Sequence, residues 1–507
     1  MTPRTLRSSS FSLVAVALLA GCGGKKSPPA GGAGSAGPID ATGPISPAGG
    51  DAAAAVAPPP TPLPALAADP GGATGDVTSI TPFGGPRTDS TRAIAVTPDG
   101  GAVVAGYFED TAKFGAIEKT GAGKSDAFVA KLGPDGAVAW VTALGSPNEE
   151  TADALAVGAD GTIVVGGLFS DELVAGGLKA KAVASDDLYV AALSPAGEVK
   201  WLWTTGAADS DATTALAATP DGGYVAAVSW HDRVKFGEVE VAAKGYDDAA
   251  LVKLSATGAV QWVTPIAGDG SEAIKRLAVD ANGTIFALGA FQQTLDLGAG
   301  PLTSAGAMDL LVAAFDATGH HLWSSRAGNP WNEVAGGIAL DRAGNVVITG
   351  SFDRDADLWG TKLVAAGESD VLVARFSHDG KPQWVKRFGS EREDIGYGVA
   401  VDDAGNAVVT GWFETPIDFG GGKLVGKGQK DGFVAKFTPD GAHVWSKRFG
   451  DWDNDSGNAV AIAPDNTVWL AGMFRYKLDL TPAGVTSTIV VGDKVQRADG
   501  FVAHLQR

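Results

Sequence analysis

The sequence predicts an all-β protein, a seven-bladed β-propeller of four-stranded antiparallel blades with a repeat of 61 residues. We call the residues at one place in successive repeats a column. An alanine column starting at Ala95 and an aromatic column starting at Phe108 keep the step of 61 through seven repeats. Such a step marks one unit, copied along the chain, that packs against its neighbours. The third column is tryptophan, at Trp140, Trp201, Trp262, Trp323, Trp384 and Trp445.

Residues 1–21 have the pattern of a secretory signal. Arg4 and Arg7 precede an apolar run at 11–20, which is too short for a membrane span. The following Leu-Ala-Gly-Cys, ending at Cys22, resembles the lipobox of bacterial lipoproteins. Because Cys22 is the one cysteine of the chain, we expect cleavage before it and its lipidation. The alternative is an ordinary signal peptide with a chance cysteine.

Residues 22–73 consist mainly of Gly, Ala, Pro and Ser, which cannot bury a core, and we expect a disordered tether. Gly23 follows Cys22 where an aspartate would stand in the enteric signal for retention in the inner membrane. That resemblance favours the outer membrane. The expected location is therefore the cell envelope of a Gram-negative-type bacterium, with the lipid on Cys22 as anchor and the propeller in the periplasm or on the surface.

Residues 74–507 contain the repeats. In the first repeat, alternating apolar residues predict strands at 93–96, 102–108, 127–132 and 137–144, with a long loop at 109–125. Asp99-Gly100 and Asp135-Gly136 predict tight turns within two hairpins, because such turns need a positive φ. Four-stranded antiparallel units repeated around an axis are propeller blades.

The seventh repeat predicts how the ring closes. It carries an insertion between Leu480 and Asp499, followed by a third strand but no tryptophan strand. A step of 61 back from Trp140 leads to Ser79, inside an apolar stretch that ends at Gly84 of a glycine column. We therefore predict that this N-terminal strand completes the last blade, which removes two open sheet edges.

These segments resemble a known family. The sequence DGFVAKF at 431–437, the Asp440-Gly441 turn, Trp445 and the stretch 398–411 are similar to the bacterial SBBP repeat. The resemblance covers about residues 74–507 and implies a seven-bladed propeller without implying a reaction. The blades are more loosely similar to NHL repeats, to quinoprotein dehydrogenases and to the propeller lipoprotein of the outer-membrane assembly machine.

The net charge of −19 would repel a phosphate backbone, and no basic stripe appears, so we expect no nucleic-acid partner. We expect the propeller to be monomeric.

Acidic residues form two columns that should share one face. One column begins at Asp126, and the other stands just before each inner strand. Seven carboxylates near the axis could bind a cation, or each could accept backbone N–H groups and join one blade to the next. The second column consists of Asp89, Glu150, Asp211, Glu272, Glu333, Asp394 and Asp455.

Residues that break the repeat are candidates for specificity. Asp451, Asp453 and Asp455 alternate as in a calcium loop, although Ile462 stands where the EF-hand needs glutamate. Calcium and a solvated acidic loop remain the alternatives. Trp230, Trp331 and Trp452 could stack on a sugar or a partner, or pack between blades.

The six histidines follow no metal spacing, and no nucleophile elbow or phosphate loop is present, so the sequence predicts no enzyme. It predicts a membrane-anchored, non-catalytic module that binds a protein, a glycan or a cation. The alternatives are a scaffold in envelope or outer-membrane assembly and, third, an enzyme with a site on the acidic face.

Overall fold

The structure, a computed structural model, describes residues 74–480, 485–486 and 497–507. Seven four-stranded antiparallel sheets follow one another, and the inner strand of the last contacts that of the first. The predicted seven-bladed propeller is therefore confirmed. The signal peptide, Cys22, the tether and most of the insertion after Leu480 lie outside the described residues. Within the described part of the chain, no helix is long and apolar enough to cross a membrane.

Each blade is one antiparallel sheet with four strands that follow one another from the axis outwards. The inner strands of blades 1 to 7 are Ser90–Val96, Ala154–Val157, Ala212–Ala218, Glu272–Val279, Glu333–Leu340, Asp394–Val401 and Ser456–Ile462. The second strands, in the same order, are Ala102–Phe108, Ile163–Ala175, Tyr224–Trp230, Ile285–Phe291, Val346–Asp353, Ala407–Phe413 and Val468–Phe474. The third strands are Asp126–Leu132, Leu178–Leu193, Asp248–Leu254, Asp309–Phe315, Ser369–Phe376, Asp431–Phe437 and Asp499–Leu505. The outer strands are Val138–Leu144, Val199–Thr205, Val260–Ile266, His321–Ala327, Pro382–Phe388, His443–Phe449 and Val77–Gly84.

The prediction of a long loop at 109–125 is wrong, because that segment contains a small hairpin. The hairpin can fold because Asp110 and Gly115 adopt positive φ values of 64° and 58°. It buries Phe114, whose ring centroid lies 5.3 Å from that of Phe83 in the preceding blade. The alternation in these strands is too short to be distinguished from loop in the sequence. In blade 2 the hairpin continues the second and third strands, and the other blades carry the pairs Thr111–Phe114 with Ile117–Thr120, Arg233–Phe236 with Val239–Ala242, Thr294–Asp296 with Pro301–Thr303, Ala356–Leu358 with Thr361–Leu363, Ile417–Asp418 with Lys423–Leu424, and Lys477–Leu478 with Val485–Thr486.

The N-terminal strand closes the ring as predicted. Val77–Gly84 pairs antiparallel with Asp499–Leu505, and Ser79 lies opposite His504. Gly84 occupies its predicted column, where a Cβ atom would lie 2.5 Å from the carboxyl of Asp499. Closure thus depends on main-chain pairing between the two ends of the described chain.

The tryptophan column joins neighbouring blades. The Trp140 indole Nε1 donates to the carbonyl oxygen of Pro195 in the next blade at 3.1 Å. The same indole covers Gly197, where a Cβ atom would lie 2.7 Å from the ring. Trp201 repeats the contact with Ala256 at 3.0 Å. These tryptophans therefore fill the gap between the outer edges of the blades.

At the closing interface Ser79 stands in the tryptophan column and meets Gly136 of blade 1. We expect Ser79→Trp to raise the melting temperature by about 2 °C. The indole can cover Gly136 and bury apolar surface, and this burial should stabilise the fold by about 1 kcal/mol. Differential scanning calorimetry measures the change.

The matched control is Ser79→Ala, which removes the hydroxyl without adding an indole and should leave the melting temperature close to that of the wild type. An equal or lower melting temperature for Ser79→Trp would contradict the account of the interface.

Candidate functional site

The second acidic column lies at the junctions between blades. All seven side chains are buried, with exposed fractions of 0–1% for six of them and 2% for Glu333. Each carboxyl accepts a backbone N–H from the residue four places earlier. The donors are Gly85, Ser146, Ala207, Gly268, Asn329, Ser390 and Asp451.

Asp211 shows how such a junction is held. Its carboxyl accepts from the N–H of Ala207 at 2.5 Å and from that of His231 at 3.3 Å. Its own backbone N–H donates to the carbonyl oxygen of Asp186 in the preceding blade at 2.8 Å. One residue therefore connects the loop before the inner strand, the end of the second strand and the neighbouring blade.

Each junction also brings two carboxyls together, because the column that begins at Asp126 lies beside the second acidic column. Asp187 of blade 2 meets Asp211 of blade 3, and Asp499 meets Asp89 at the closing junction. Burial, with the neighbouring carboxyl as a further cause, raises the pKa of Asp211 to about 6 and that of Asp89 well above its ordinary value. Burial likewise raises the pKa of Glu150 to about 7. Below these pKa values one carboxyl of such a pair can hold a proton and bond to the other.

Three junctions contain an arginine as well. Arg326 lies 2.5 Å from Asp309, and Arg387 lies 3.2 Å from Asp370. Arg448 contacts Asp431 at 3.1 Å. Blades 1 to 3 have Ala143, Thr204 and Pro265 at the corresponding positions. Charge compensation at the junctions therefore differs around the ring although the carboxyl pair repeats.

The predicted calcium loop makes other contacts. The Asp453 carboxyl accepts from Arg475 at 3.3 Å and from the N–H of Asn454 at 2.8 Å. The Asp455 carboxyl accepts from the N–H of Asp451 at 3.0 Å. Across the described ranges, no three acidic, histidine or cysteine side chains converge as a metal site. Calcium binding here stays a prediction.

The three candidate ligand aromatics lie in different surroundings. Trp230 is fully buried and packs its edge against Phe236, with 5.6 Å between ring centroids, so it belongs to the blade core. Trp331 is 55% exposed and has the guanidinium of Arg354 above its ring. Trp452 is 51% exposed and stacks on Tyr476. The structure does not bring the three together.

A different set of residues surrounds the axis. In six blades a β-bulge interrupts the inner strand three residues after the acidic column, and bulges redirect side chains. In blade 2 the corresponding residue directly precedes the inner strand. We call this column the axial ring. Its seven residues are all different: Arg92, Asp153, Thr214, Lys275, Gly336, Tyr397 and Asn458.

Charged groups of the axial ring, together with the adjacent Arg276, act on one another across the blades. Burial lowers the pKa of Arg276, the residue after Lys275, while Asp153 raises it and Arg92 of blade 1 lowers it. Burial lowers the pKa of Arg92, but Asp153 counteracts it and the net shift is upward. Burial and Arg276 lower the pKa of Lys275. Side chains from blades 1, 2 and 4 therefore share one electrostatic environment.

Aromatic groups complete this site. The Arg92 guanidinium carbon lies 5.3 Å from the centroid of the Tyr107 ring. Trp412 donates its Nε1 hydrogen to Tyr397 Oη at 3.0 Å. Because the Tyr397 oxygen accepts that bond, its own hydrogen remains able to bond elsewhere.

Sequence reasoning did not identify the axial ring, although it expected specificity where the repeat is broken. The signal was present, because seven different residues fill this column. The column that follows holds Ala or Gly in six blades and Arg276 in the remaining one. The sequence does not show the bulge that turns these side chains to the axis.

Two curated proteins and a solved propeller domain are similar to parts of this chain. An uncharacterized WD repeat-containing protein of Acanthamoeba polyphaga mimivirus is 21% identical over 38% of this chain and 17% of its own length. The regulatory protein FlaEY of Caulobacter vibrioides is 23% identical over 43% of this chain and 24% of its own. The chain thus spans less than a quarter of either relative. The WD40 propeller domain of Doa1 superposes with a TM-score of 0.44 and 8% identity, covering 85% of this chain and 97% of that domain. No family model matches the chain, so the resemblance to the SBBP repeat stays a prediction.

The raised pKa values predict that stability falls as the pH rises. Unfolded Glu150 titrates near 4.5 and the folded residue at about 7, so the folded protein binds more protons between these values. Its contribution is complete below about pH 4.5 and is lost as the pH rises through 7. We expect Glu150→Gln, which cannot ionise, to gain on the order of 2 kcal/mol relative to wild type between pH 5 and pH 8. Urea unfolding at both pH values measures this gain.

Glu149→Gln is the matched control, because Glu149 is the adjacent residue and is exposed. Its stability relative to wild type should change little between the two pH values. If Glu150→Gln behaves in the same way as Glu149→Gln, the buried carboxyl of Glu150 does not hold a proton near neutral pH.

Proposed function

We propose that this protein is a lipid-anchored, non-catalytic binding module of the bacterial cell envelope and that the axial ring is its binding site. The anchor rests on the lipobox-like sequence before Cys22, and the tether of residues 22–73 would hold the propeller away from the membrane. A propeller fold is consistent with such a module.

One observation supports this choice of site. A residue that only maintains the blade repeats from copy to copy, as the junction carboxyls do in all seven blades and the tryptophans do in six. The axial ring has a different residue in each blade, at the place where all seven blades approach one another. Binding sites are built from a few polar groups that converge, and this column supplies them.

The site suits binding more than catalysis. Lys275, Arg276 and Arg92 are charged groups, and Tyr397 supplies a hydroxyl, but in the described part of the chain no histidine, cysteine or serine forms a nucleophile–base pair beside them. These groups can hold and orient a ligand through hydrogen bonds and charge.

The anchor predicts where the protein is found. We expect the wild type in the membrane fraction and Cys22→Ala in the soluble fraction, because only the wild type can receive the lipid. Immunoblots of separated inner-membrane, outer-membrane and soluble fractions measure the distribution, and protease added to intact cells tests exposure at the surface.

The control for that experiment is Cys22→Ala carrying an unrelated lipoprotein signal and its cysteine, which should return the protein to the membrane. Cys22→Ala found in the membrane at the wild-type level would contradict anchoring through this residue.

The binding site has its own test. We expect at least one class among neutral sugars, amino acids, organic acids and inorganic anions to stabilise the wild type, by about 2.7 kcal/mol at a concentration of 100 Kd. The double variant Arg92→Asn, Arg276→Ala should lose that stabilisation. Its new residues are those of blade 7 in the same columns, Asn458 and Ala459, so the fold should tolerate them. Thermal-shift measurements with each compound class compare the stabilisation of the wild type with that of the double variant.

Stabilisation of the double variant to the wild-type extent would place the ligand elsewhere. No stabilisation of the wild type by any class would count against a small-molecule site at the axis. A stable complex with outer-membrane assembly proteins after crosslinking of intact cells would favour the scaffold instead.

A further inference from the structure

We propose that the axial ring binds an oxyanion, the carboxylate or phosphate group of a small organic acid or phosphate ester. This inference rests on the proposed function, since it names the ligand class of the same site. It specifies the charge of the ligand, which the proposed function does not.

Positive charge exceeds negative charge at the axis. One carboxylate, that of Asp153, acts on all three cations, Arg92, Lys275 and Arg276. Asp247 acts on Lys275 as well, but its carboxyl is already bound to His231. In the described ranges none of the three cations makes an ion pair within 4.0 Å.

This surplus contrasts with the rest of the molecule. The whole chain carries a net charge of −19, and several cations elsewhere in the described chain form ion pairs. Arg326, for example, contacts Asp309 at 2.5 Å. A local positive site in a concave, partly desolvated place concentrates field and attracts an anion despite the overall charge.

Two like charges from different blades act on each other at the axis. Arg92 on blade 1 and Arg276 on blade 4 are close enough that the positive charge of Arg92 lowers the pKa of Arg276. The guanidinium group matches planar carboxylate and phosphate oxygens with two parallel hydrogen bonds. An oxyanion between the two converts their repulsion into two attractive contacts.

Two hydrogen-bond donors at the axis remain available to a ligand. Arg92 Nε is buried without a hydrogen-bond acceptor in the described part of the chain. Tyr397 accepts from Trp412, which leaves its hydroxyl hydrogen able to donate. Donors without acceptors suit an oxyanion, which only accepts, and they do not suit a metal cation.

The test uses the purified full-length protein and two probes, citrate and inorganic phosphate, in isothermal titration calorimetry. We expect at least one probe to bind and Arg276→Ala to weaken that binding tenfold or more, since it removes a charged hydrogen bond. Binding should also weaken as the salt concentration rises. Preference for citrate would identify a carboxylate ligand, and preference for phosphate would identify a phosphate ester.

Arg342→Ala is the matched control. It removes one positive charge from an exposed ion pair with Asp403, at the turns between inner and second strands. It also introduces the residue that Ala281 supplies in blade 4. This variant should bind the probe as the wild type does.

Three results would overturn the inference. The first is that neither probe binds, and the second is that Arg276→Ala binds a probe as well as the wild type does. The third is that Arg342→Ala weakens binding as much as Arg276→Ala does, because that result would indicate a general effect of net charge. If neutral sugars stabilise the wild type and not the double variant while neither anion binds, the proposed function holds and the oxyanion inference fails.

Discussion

The rest of the ring depends on the pairing of Val77–Gly84 with Asp499–Leu505, because this pairing closes it. A blade buries its faces only against its neighbours, so an open end would leave one face and one sheet edge uncovered. The strand also carries Gly84 to its place beside Asp499, which completes the last junction. Without closure the seven inner strands would not surround an axis.

The two acidic columns have different roles at the junctions between blades. The second column satisfies backbone N–H groups in loops that would otherwise be buried without partners, as Asp211 does for Ala207 and His231. The neighbouring aspartate column brings a second carboxyl to the same place. Two buried carboxyls favour a shared proton, so the junctions connect the stability of the ring to pH.

The axial ring and the junctions follow opposite rules. Junction residues repeat because each joins the same two structural neighbours in every blade. The axial-ring residues Arg92, Asp153, Lys275 and Tyr397 come from different blades and differ from one another.

The sequence by itself determined the repeat, the four strands of each blade, the seven-fold count and the closing strand, because these depend on local alternation, turn residues and a fixed spacing. It placed the acidic columns on one face but not in pairs. Tertiary structure decided that Asp187 meets Asp211, that Trp230 is core while Trp452 is surface, and that residues 109–125 form a hairpin. It also decided that the charges of Arg92 and Asp153 act on Arg276, because inner strands that lie far apart in the sequence come together only when seven blades have closed into a ring.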